Sequence, residues 1–366
     1  MTREDYMQEA INLALKGSAD VRPNPKVGCI LVKNKEIIGK GYHKKYGGYH
    51  AEINAFNYCI KKYGKDKAVE LLSDATAYIT LEPCSIFSKT PPCTSSLIKY
   101  GVKNVFCASL DPNKKINGKG VKILRENGIN VEVGLLKEQT VSINQDFFFR
   151  HKKGRPFIRM KIAQSLDAKI ALSSGDSKWI TSKKSRDDVQ EIRKNSDGIL
   201  VGSGTILKDN PRLNVRKNIT SINGKQPKKI ILGSSFLTKE NDLKIYDGMS
   251  EVIICSQEFS SYSKKDNLIK LPIKKNSTLK DTLKELSKHE LNSILVEGGS
   301  KVFTSFLKEG LVDELILYIS PKFLGKDSID SLFIDSPDYL KDARKFKIYD
   351  SMLVGDDIKI IMRKKK

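Results

Sequence analysis

Apolar residues at Met7, Ala10, Ile11 and Ala14 follow the three-and-four spacing of one helical face, and the pattern stops at Lys16-Gly17. The period then shortens. Residues 26–32 and 37–42 read as strands joined through the polar run Lys33-Asn34-Lys35-Glu36, which predicts a hairpin. Helices over 51–62, 94–100 and 120–127 alternate with strands over 75–81, 104–109 and 129–134, completing the order β-β-α-β-α-β-α-β. Helices that return between strands in this way predict a sheet covered by helices.

The basic stretch Arg150-His151-Lys152-Lys153-Gly154-Arg155-Pro156 interrupts the alternation and reads as a domain boundary. It divides the chain into a first domain over residues 1–146 and a second over 147–366. The second is again α/β, with strand-like runs at 157–162, 198–201, 229–232, 251–255, 293–296, 314–319 and 358–362. No repeat of fixed period stands out. The length of 366 residues suits two domains, and 39% hydrophobic with 30% charged residues excludes a disordered chain.

No apolar run approaches the roughly 18 residues of a membrane helix, and the start MTREDYMQEA lacks the apolar stretch of a signal peptide. The expectation is a cytoplasmic protein with no membrane partner. Sixty-five basic against 43 acidic residues give a net charge of +22. That balance suits a nucleic-acid binder, an enzyme for phosphorylated substrates or a lysine-rich surface, and the dispersal of the lysines favours the last. Six cysteines are too few for a disulfide scaffold, so a cysteine with special spacing is a metal or catalytic candidate. Cys29, Cys59, Cys107 and Cys255 fall in apolar runs and read as packing residues.

His50-Ala51-Glu52 stands where Gly47-Gly48 gives way to a helix, Pro83-Cys84 follows a strand, and Cys93 comes nine positions after Cys84. One imidazole and two thiolates fill three positions around a tetrahedral Zn²⁺ and leave the fourth to water, the arrangement of a catalytic site. Zinc lowers the pKa of bound water to about 7. Glu52, two residues from His50 in a helix's first turn, suits proton transfer from that water to a leaving ammonia.

These residues resemble the cytidine-deaminase-like superfamily, whose signature is H-x-E with a later P-C-x-x-C. Here the cysteines are further apart and the loop ends in Thr90-Pro91-Pro92-Cys93, which is similar to the deaminase half of the bifunctional riboflavin-biosynthesis enzymes. Further matches are Pro23-Asn24-Pro25-x-Val27-Gly28, Gly41-x-His43, Leu81-Glu82-Pro83-Cys84 and Asp111-Pro112. The resemblance implies a cytidine-deaminase-like α/β/α domain with zinc on His50, Cys84 and Cys93, Glu52 as the catalytic carboxylate, and Asn24, His43 and Lys89 on the pyrimidine or its ribosyl phosphate. Ile86-Phe87 stands where relatives carry a more polar, often His-containing pair.

In the second half, Gly198–Thr205 and Ile294–Ser300 each run from a strand into a glycine turn, where bare backbone N–H groups favour phosphate. The ordered set Lys161-x-Ala163-x-Ser165-Leu166-Asp167, Ser177-x-Trp179, Arg193, Gly202-x-Gly204-Thr205, Asp209-x-Pro211-x-Leu213-x-Val215-Arg216 and Glu297-Gly298-Gly299 resembles the reductase half of the same enzymes. That half is similar to dihydrofolate reductase. The resemblance implies NADPH beside Ala163, Trp179, Thr205, Asp209, Ser234 and the turn Gly298-Gly299-Ser300, and substrate on Ser177, Arg193, Leu213, Arg216 and Glu297. Lys161 and Asp209 are the catalytic candidates there, for polarising or protonating the opened sugar. Ala168, Asn210 and Asn214 depart from the pattern, Ala168 replacing a glycine.

The expected protein is a bifunctional enzyme acting on a small phosphorylated pyrimidine. Its first half deaminates 2,5-diamino-6-ribosylamino-4(3H)-pyrimidinone 5′-phosphate, and its second uses NADPH to reduce the ribosyl group to ribityl. A homo-oligomer without nucleic acid is expected. The rival readings are a nucleoside or tRNA deaminase with a nucleic-acid-binding C-terminal half, and an interaction scaffold with structural zinc.

Overall fold

The computed structural model describes residues 1–87, 91–216, 226–239 and 242–364. The chain divides into two compact units, Met1–Lys153 and Gly154–Lys366. No helix among the described residues is long and apolar enough to cross a membrane.

The first unit carries α1 (Arg3–Leu15), the hairpin β1 (Gly28–Lys33) and β2 (Glu36–Tyr42), then α2 (Ala51–Tyr63), α3 (Lys65–Leu72), β3 (Thr76–Ile79), α4 (Cys93–Lys99), β4 (Asn104–Cys107), α5 (Lys119–Glu126), β5 (Asn130–Val133), α6 (Lys137–Ile143) and α7 (Gln145–Lys153). Its sheet has the order β2-β1-β3-β4-β5. The β1 pairings are antiparallel, and β3, β4 and β5 run parallel.

Strand alternation builds the layers. Cys29 and Leu31 of β1 join a cluster with Phe56, Leu72, Leu97 and Leu124 from four helices. Ile30 and Val32 turn to the other face and pack with Met7, Ala10 and Ile11 of α1. Two close approaches need glycine. A Cβ on Gly28 would lie 1.9 Å from the Ala10 carbonyl, and one on Gly41 would lie 2.2 Å from that of Ala51. The second contact seats the first turn of α2 directly on β2.

Three helices of this unit were not anticipated from the hydrophobic pattern. α3 buries only Ala68 and Leu72, too short a stripe to stand out. α6 and α7 occupy the stretch read as the approach to a boundary, and the 146/147 cut falls inside α7. The basic run Arg150–Lys153 forms the last turn of α7, where positive charge suits the carbonyl end of a helix.

The second unit runs β6 (Phe157–Ser165), β7 (Lys169–Ala171), α8 (Lys183–Lys194), β8 (Gly198–Gly202), α9 (Ser203–Asp209), β9 (Lys228–Leu232), β10 (Val252–Ser256), β11 (Ser263–Lys265), β12 (Leu268–Pro272), α10 (Leu279–Ser287), β13 (Ser293–Val296), α11 (Ser300–Lys308), β14 (Glu314–Ser320), β15 (Ile329–Asp330), β16 (Phe346–Val354) and β17 (Asp357–Lys364). Ten strands form one sheet in the order β11-β12-β10-β9-β8-β13-β6-β14-β17-β16. From β12 to β14 the neighbours are parallel, so the ends of β9, β8, β13 and β6 open in a row on one edge. Both faces of this parallel region are buried. Leu200, Ile294 and Ile158 face α10 and α11, while Ile199, Val201 and Ile231 face a second cluster that includes Ile206 of α9.

Lys229 is fully buried but structural: its ammonium donates to the Ile245 carbonyl at 2.7 Å and pairs with Asp247 at 2.5 Å. β16 was missed because its apolar residues face outward at the sheet edge.

Candidate active sites

The first site is built where strand ends meet helix starts. His50 is the N-cap of α2 and makes no side-chain capping bond, so its imidazole is not committed to its own helix. Cys84 follows β3, and Cys93 opens α4. The His50 Nδ1 lies 3.5 Å from the Cys84 Sγ and 3.3 Å from the Cys93 Sγ, and the three ligand atoms all fall within 4.8 Å of one another. Zinc bonds of about 2.0–2.1 Å to nitrogen and 2.3 Å to sulfur give a tetrahedral N···S edge of roughly 3.5 Å. The donor set and its spacing therefore fit zinc, with one position left to a non-protein ligand.

The electrostatics of the triangle agree. The Cys84 thiol, hydrogen-bonded by Cys93 and His50, is pulled down to about 4, and its contact with His50 raises the imidazole to about 9. Cys93, which hydrogen-bonds to Cys84 and is buried, is pushed up. A divalent cation takes the place of these protons. Glu52 is only 3% exposed, and burial pushes its carboxyl above the ordinary value.

Two further predicted residues join this site. The His43 ring meets that of His50 edge-on, with centroids 5.5 Å apart. Its Nδ1 lies 3.1 Å from the Tyr49 carbonyl, which makes Nδ1 the protonated nitrogen and leaves Nε2 to accept from the Asn24 amide at 3.2 Å. Burial lowers the His43 pKa, which disfavours the charged ring. Lys89, assigned to the same substrate, lies outside the described residues. Ile86 and Phe87 are exposed beside the site.

Asn54 and Asn144 escaped the reading of the sequence. The Asn54 amide donates to the carbonyls of Tyr42 at 2.8 Å and Tyr49 at 3.2 Å, fixing the loop that carries His43. Asn144 accepts from the Lys26 N–H at 2.8 Å and donates to the Lys26 carbonyl at 2.9 Å, two residues beyond Asn24. Each acts on backbone, so neither has a side-chain partner that a motif could reveal. A concavity of about 730 Å³ along β5, lined by Arg3, Phe106, Arg125 and Glu132, contains none of the candidate residues, and the chemistry lies elsewhere.

In the second unit, register brings together groups far apart in sequence. Val296 of β13 pairs with Met160 of β6, which sets Glu297 beside Lys161. The Arg193 guanidinium from α8 grips Glu297 through two parallel bonds of 2.6 and 2.9 Å and also donates to the Asn214 carbonyl at 3.0 Å. Lys161 Nζ lies 3.6 Å from Glu297. Burial alone would raise the Glu297 pKa, but the two cations outweigh it and hold the carboxyl at about 2. Burial lowers the Lys161 pKa, partly offset by Glu297.

The glycine turns after β8 and β13 lie side by side, with the Glu297 N–H donating to the Leu200 carbonyl at 2.9 Å. Val302 of α11 fills the space that side chains at either turn would need: a Cβ on Gly202 or on Gly298 would meet it at 2.9 Å. Gly299 caps α11 without a side-chain bond, so the first N–H groups of that helix are not bonded by a capping side chain. A cofactor with phosphates fits such a turn. Thr205 adjoins Gly299, and the Ser300 hydroxyl donates to the Asp330 carbonyl.

The remaining predicted residues are more scattered. Ala163 is half-buried next to Tyr318, Ser177 is half-buried, and Leu213 is buried with φ of 47°. Trp179 is 58% exposed, with the Arg186 guanidinium 4.3 Å above its ring. Ser234 follows β9 and donates to Glu258 at 3.0 Å. Arg216 is exposed, and its N–H donates to Gln190. Asp209 is exposed at the end of α9, and among the described residues no ion pair joins it to Lys161, which pairs with Glu297. Ala168 adopts φ of 62° and Asn210 φ of 40°, left-handed conformations that asparagine tolerates better than alanine.

Residues 1–109 match the cytidine and deoxycytidylate deaminase zinc-binding region, and residues 156–360 match the RibD C-terminal domain. The riboflavin biosynthesis protein RibD of Buchnera aphidicola is 42% identical over 372 residues, with 98% of each chain covered. The protein of that name from Escherichia coli is 36% identical, with 98% of each covered. Among solved structures, RibD of Acinetobacter baumannii has a TM-score of 0.86 at 34% identity, covering 98% of each chain. The deaminase/reductase of Thermotoga maritima has a TM-score of 0.82 at 35% identity, covering 99% of this chain and 98% of its own. A nucleic-acid-binding C-terminal half is not favoured by these findings.

Proposed function

The chain belongs to the RibD family of bifunctional riboflavin-biosynthesis enzymes, and from that premise we propose how its residues share out the two reactions. The first unit is a zinc-binding deaminase and the second an NADPH-dependent reductase. The substrate is a small phosphorylated pyrimidine, here assigned as the diaminopyrimidine ribotide. The observation that carries the first assignment is the His50, Cys84 and Cys93 triangle with Glu52 buried beside it.

His50, Cys84 and Cys93 hold the zinc, which when bound supplies a water of lowered pKa as nucleophile. Glu52 would accept a proton from the attacking water and pass it to the leaving ammonia, a role that suits a carboxyl whose proton affinity burial raises. Asn24, its amide nitrogen engaged by His43, presents its carbonyl oxygen to an amino group of the pyrimidine. Lys89 is assigned to the phosphate.

In the second unit the turn Gly298-Gly299-Ser300, with Thr205, Trp179 and Ser234, would hold NADPH, which when bound would supply the hydride. Ala163 and Asp209 are assigned to the same cofactor pocket. Glu297, held ionised by Arg193 and Lys161, accepts from the sugar hydroxyls. Lys161, whose ammonium is destabilised by burial, would donate the proton that reduction of the opened sugar requires. Arg193 orients Glu297 through its two-point contact, and Arg216 with Ser177 and Leu213 completes the substrate pocket, Arg216 taking the phosphate.

The deaminase is assigned to the unit Met1–Lys153 and the reductase to the unit Gly154–Lys366, rather than to 1–146 and 147–366, and the enzyme works as a cytoplasmic homo-oligomer. The outward face of β16, with Ile348 at 60%, Tyr349 at 63% and Leu353 at 76% exposure on an edge strand, supports association between copies.

A coupled assay tests the reading. Purified protein given the diaminopyrimidine ribotide should release ammonia and then consume NADPH. Glu52→Ala should stop ammonia release while reduction of supplied deaminated intermediate continues. Loss of both signals, or RNA binding without NADPH oxidation, would overturn it.

A further inference from the structure

Glu82 is 4% exposed, and among the described residues no lysine or arginine pairs with it. Instead four backbone N–H groups converge on its carboxylate. Oε2 accepts from Asp111 at 3.1 Å and Gly118 at 2.9 Å, and Oε1 accepts from Gly120 at 2.9 Å and Val121 at 3.3 Å. The donors come from the loop before α5 and from its first turn. That loop is itself tied, since Asn117 donates to the Asp111 carbonyl and the Asn113 N–H to the Asp111 carboxylate, both at 2.8 Å. A carboxylate can be buried without a cation when amide dipoles saturate its lone pairs in this way.

What the cage holds is the segment Glu82-Pro83-Cys84. The Glu82 N–H is bonded to the Ser109 carbonyl at 2.9 Å, and Gly120 has no side chain where a Cβ would strike the Pro83 carbonyl at 2.2 Å. On the far side, the N–H and hydroxyl of Thr94 both reach the Cys84 carbonyl at 3.3 Å. The Cys84 backbone is thereby fixed from both directions, although neither clamp touches a ligand atom.

We propose that Glu82 is a positioning residue for the metal centre: its amide cage fixes the Cys84 backbone in the zinc-ready geometry and so strengthens zinc binding. This rests on the zinc reading of His50, Cys84 and Cys93. Glutamine has nearly the same shape but would turn an NH₂ group toward amide donors, so it cannot close the cage.

The test is zinc affinity of the full-length protein, measured by competition with a chromogenic chelator. Glu82→Gln should weaken zinc binding about 10–100-fold, the usual cost of losing an outer partner of a metal ligand, with NADPH oxidation on supplied deaminated intermediate unchanged. Glu82→Asp should recover part of the loss. A purely structural role would lower the melting temperature of the zinc-free protein and leave the zinc affinity of the folded protein intact, which would overturn the proposal. If Glu82→Gln does not fold, hydrogen exchange on the wild type decides. Because coupling is reciprocal, zinc must slow exchange at the Asp111, Gly118, Gly120 and Val121 amides, and exchange indifferent to zinc refutes the idea. A wild type that binds no zinc would instead remove the premise.

Discussion

Glu52 in the first unit and Glu297 in the second are both buried, yet their surroundings push them in opposite directions. Glu52 lies beside two cysteines, and burial dominates, raising its pKa. Glu297 faces Arg193 and Lys161, which hold it at about 2. A carboxyl that gains a proton easily suits proton transfer, and one that stays ionised suits anchoring. The same residue type therefore serves two tasks, and the neighbours decide which.

The comparison breaks most sharply at Glu297. Replacing it by glutamine leaves Lys161 and Arg193 buried without their counter-charge, which should destabilise the second unit by on the order of 3 kcal/mol and cripple NADPH oxidation while ammonia release persists. Unfolding curves together with the two activities check this. The pH profiles should also oppose each other. The Glu297 pKa is depressed from an ordinary 4.5 to about 2, so its stabilising contribution is complete above pH 4.5 and is lost as pH falls toward 2. The Glu52 pKa is raised, so in zinc-free protein stability declines as pH climbs past 4.5. Glu297→Gln should flatten the acid limb and Glu52→Gln the decline on the other side. Parallel profiles for the two variants would contradict the assignment.

Smaller effects sharpen the contrast. Asn144→Ala removes both bonds to the Lys26 backbone and should raise KM for deamination about tenfold, with reduction unaffected. Steady-state kinetics on each substrate separates the two. Ala168→Gly relieves a left-handed alanine and should stabilise the second unit by about 1 kcal/mol, read from its melting temperature.

The two sites were legible to different degrees for a physical reason. His50, Glu52, Cys84 and Cys93 are the few residue types that bind zinc or move protons, and they sit at strand–helix junctions that periodicity already located. Lys161, Arg193 and Glu297 were named from a motif, but their mutual pairing depends on the β6–β13 register and on α8, which sequence separations of 104 and 136 residues conceal. The resemblance assigns Arg193 and Glu297 alike to the substrate, and the structure adds that the Arg193 guanidinium grips Glu297. Asn54 and Asn144 act by bonding backbone groups, which leave no trace in side-chain pattern, and Glu82 stands in the Leu81-Glu82-Pro83-Cys84 match with no role that the motif itself reveals. Edge strand β16 was overlooked because outward apolar residues break the alternation expected of a half-buried strand.

X-ray absorption at the zinc edge of the purified protein addresses the metal centre directly. The expected shell holds two sulfurs at about 2.3 Å and two lighter atoms at about 2.0–2.1 Å, one of them the His50 nitrogen and the other exchangeable. A shell of three or more sulfurs, a second protein nitrogen that substrate does not displace, or no bound zinc would contradict an open catalytic site on His50, Cys84 and Cys93.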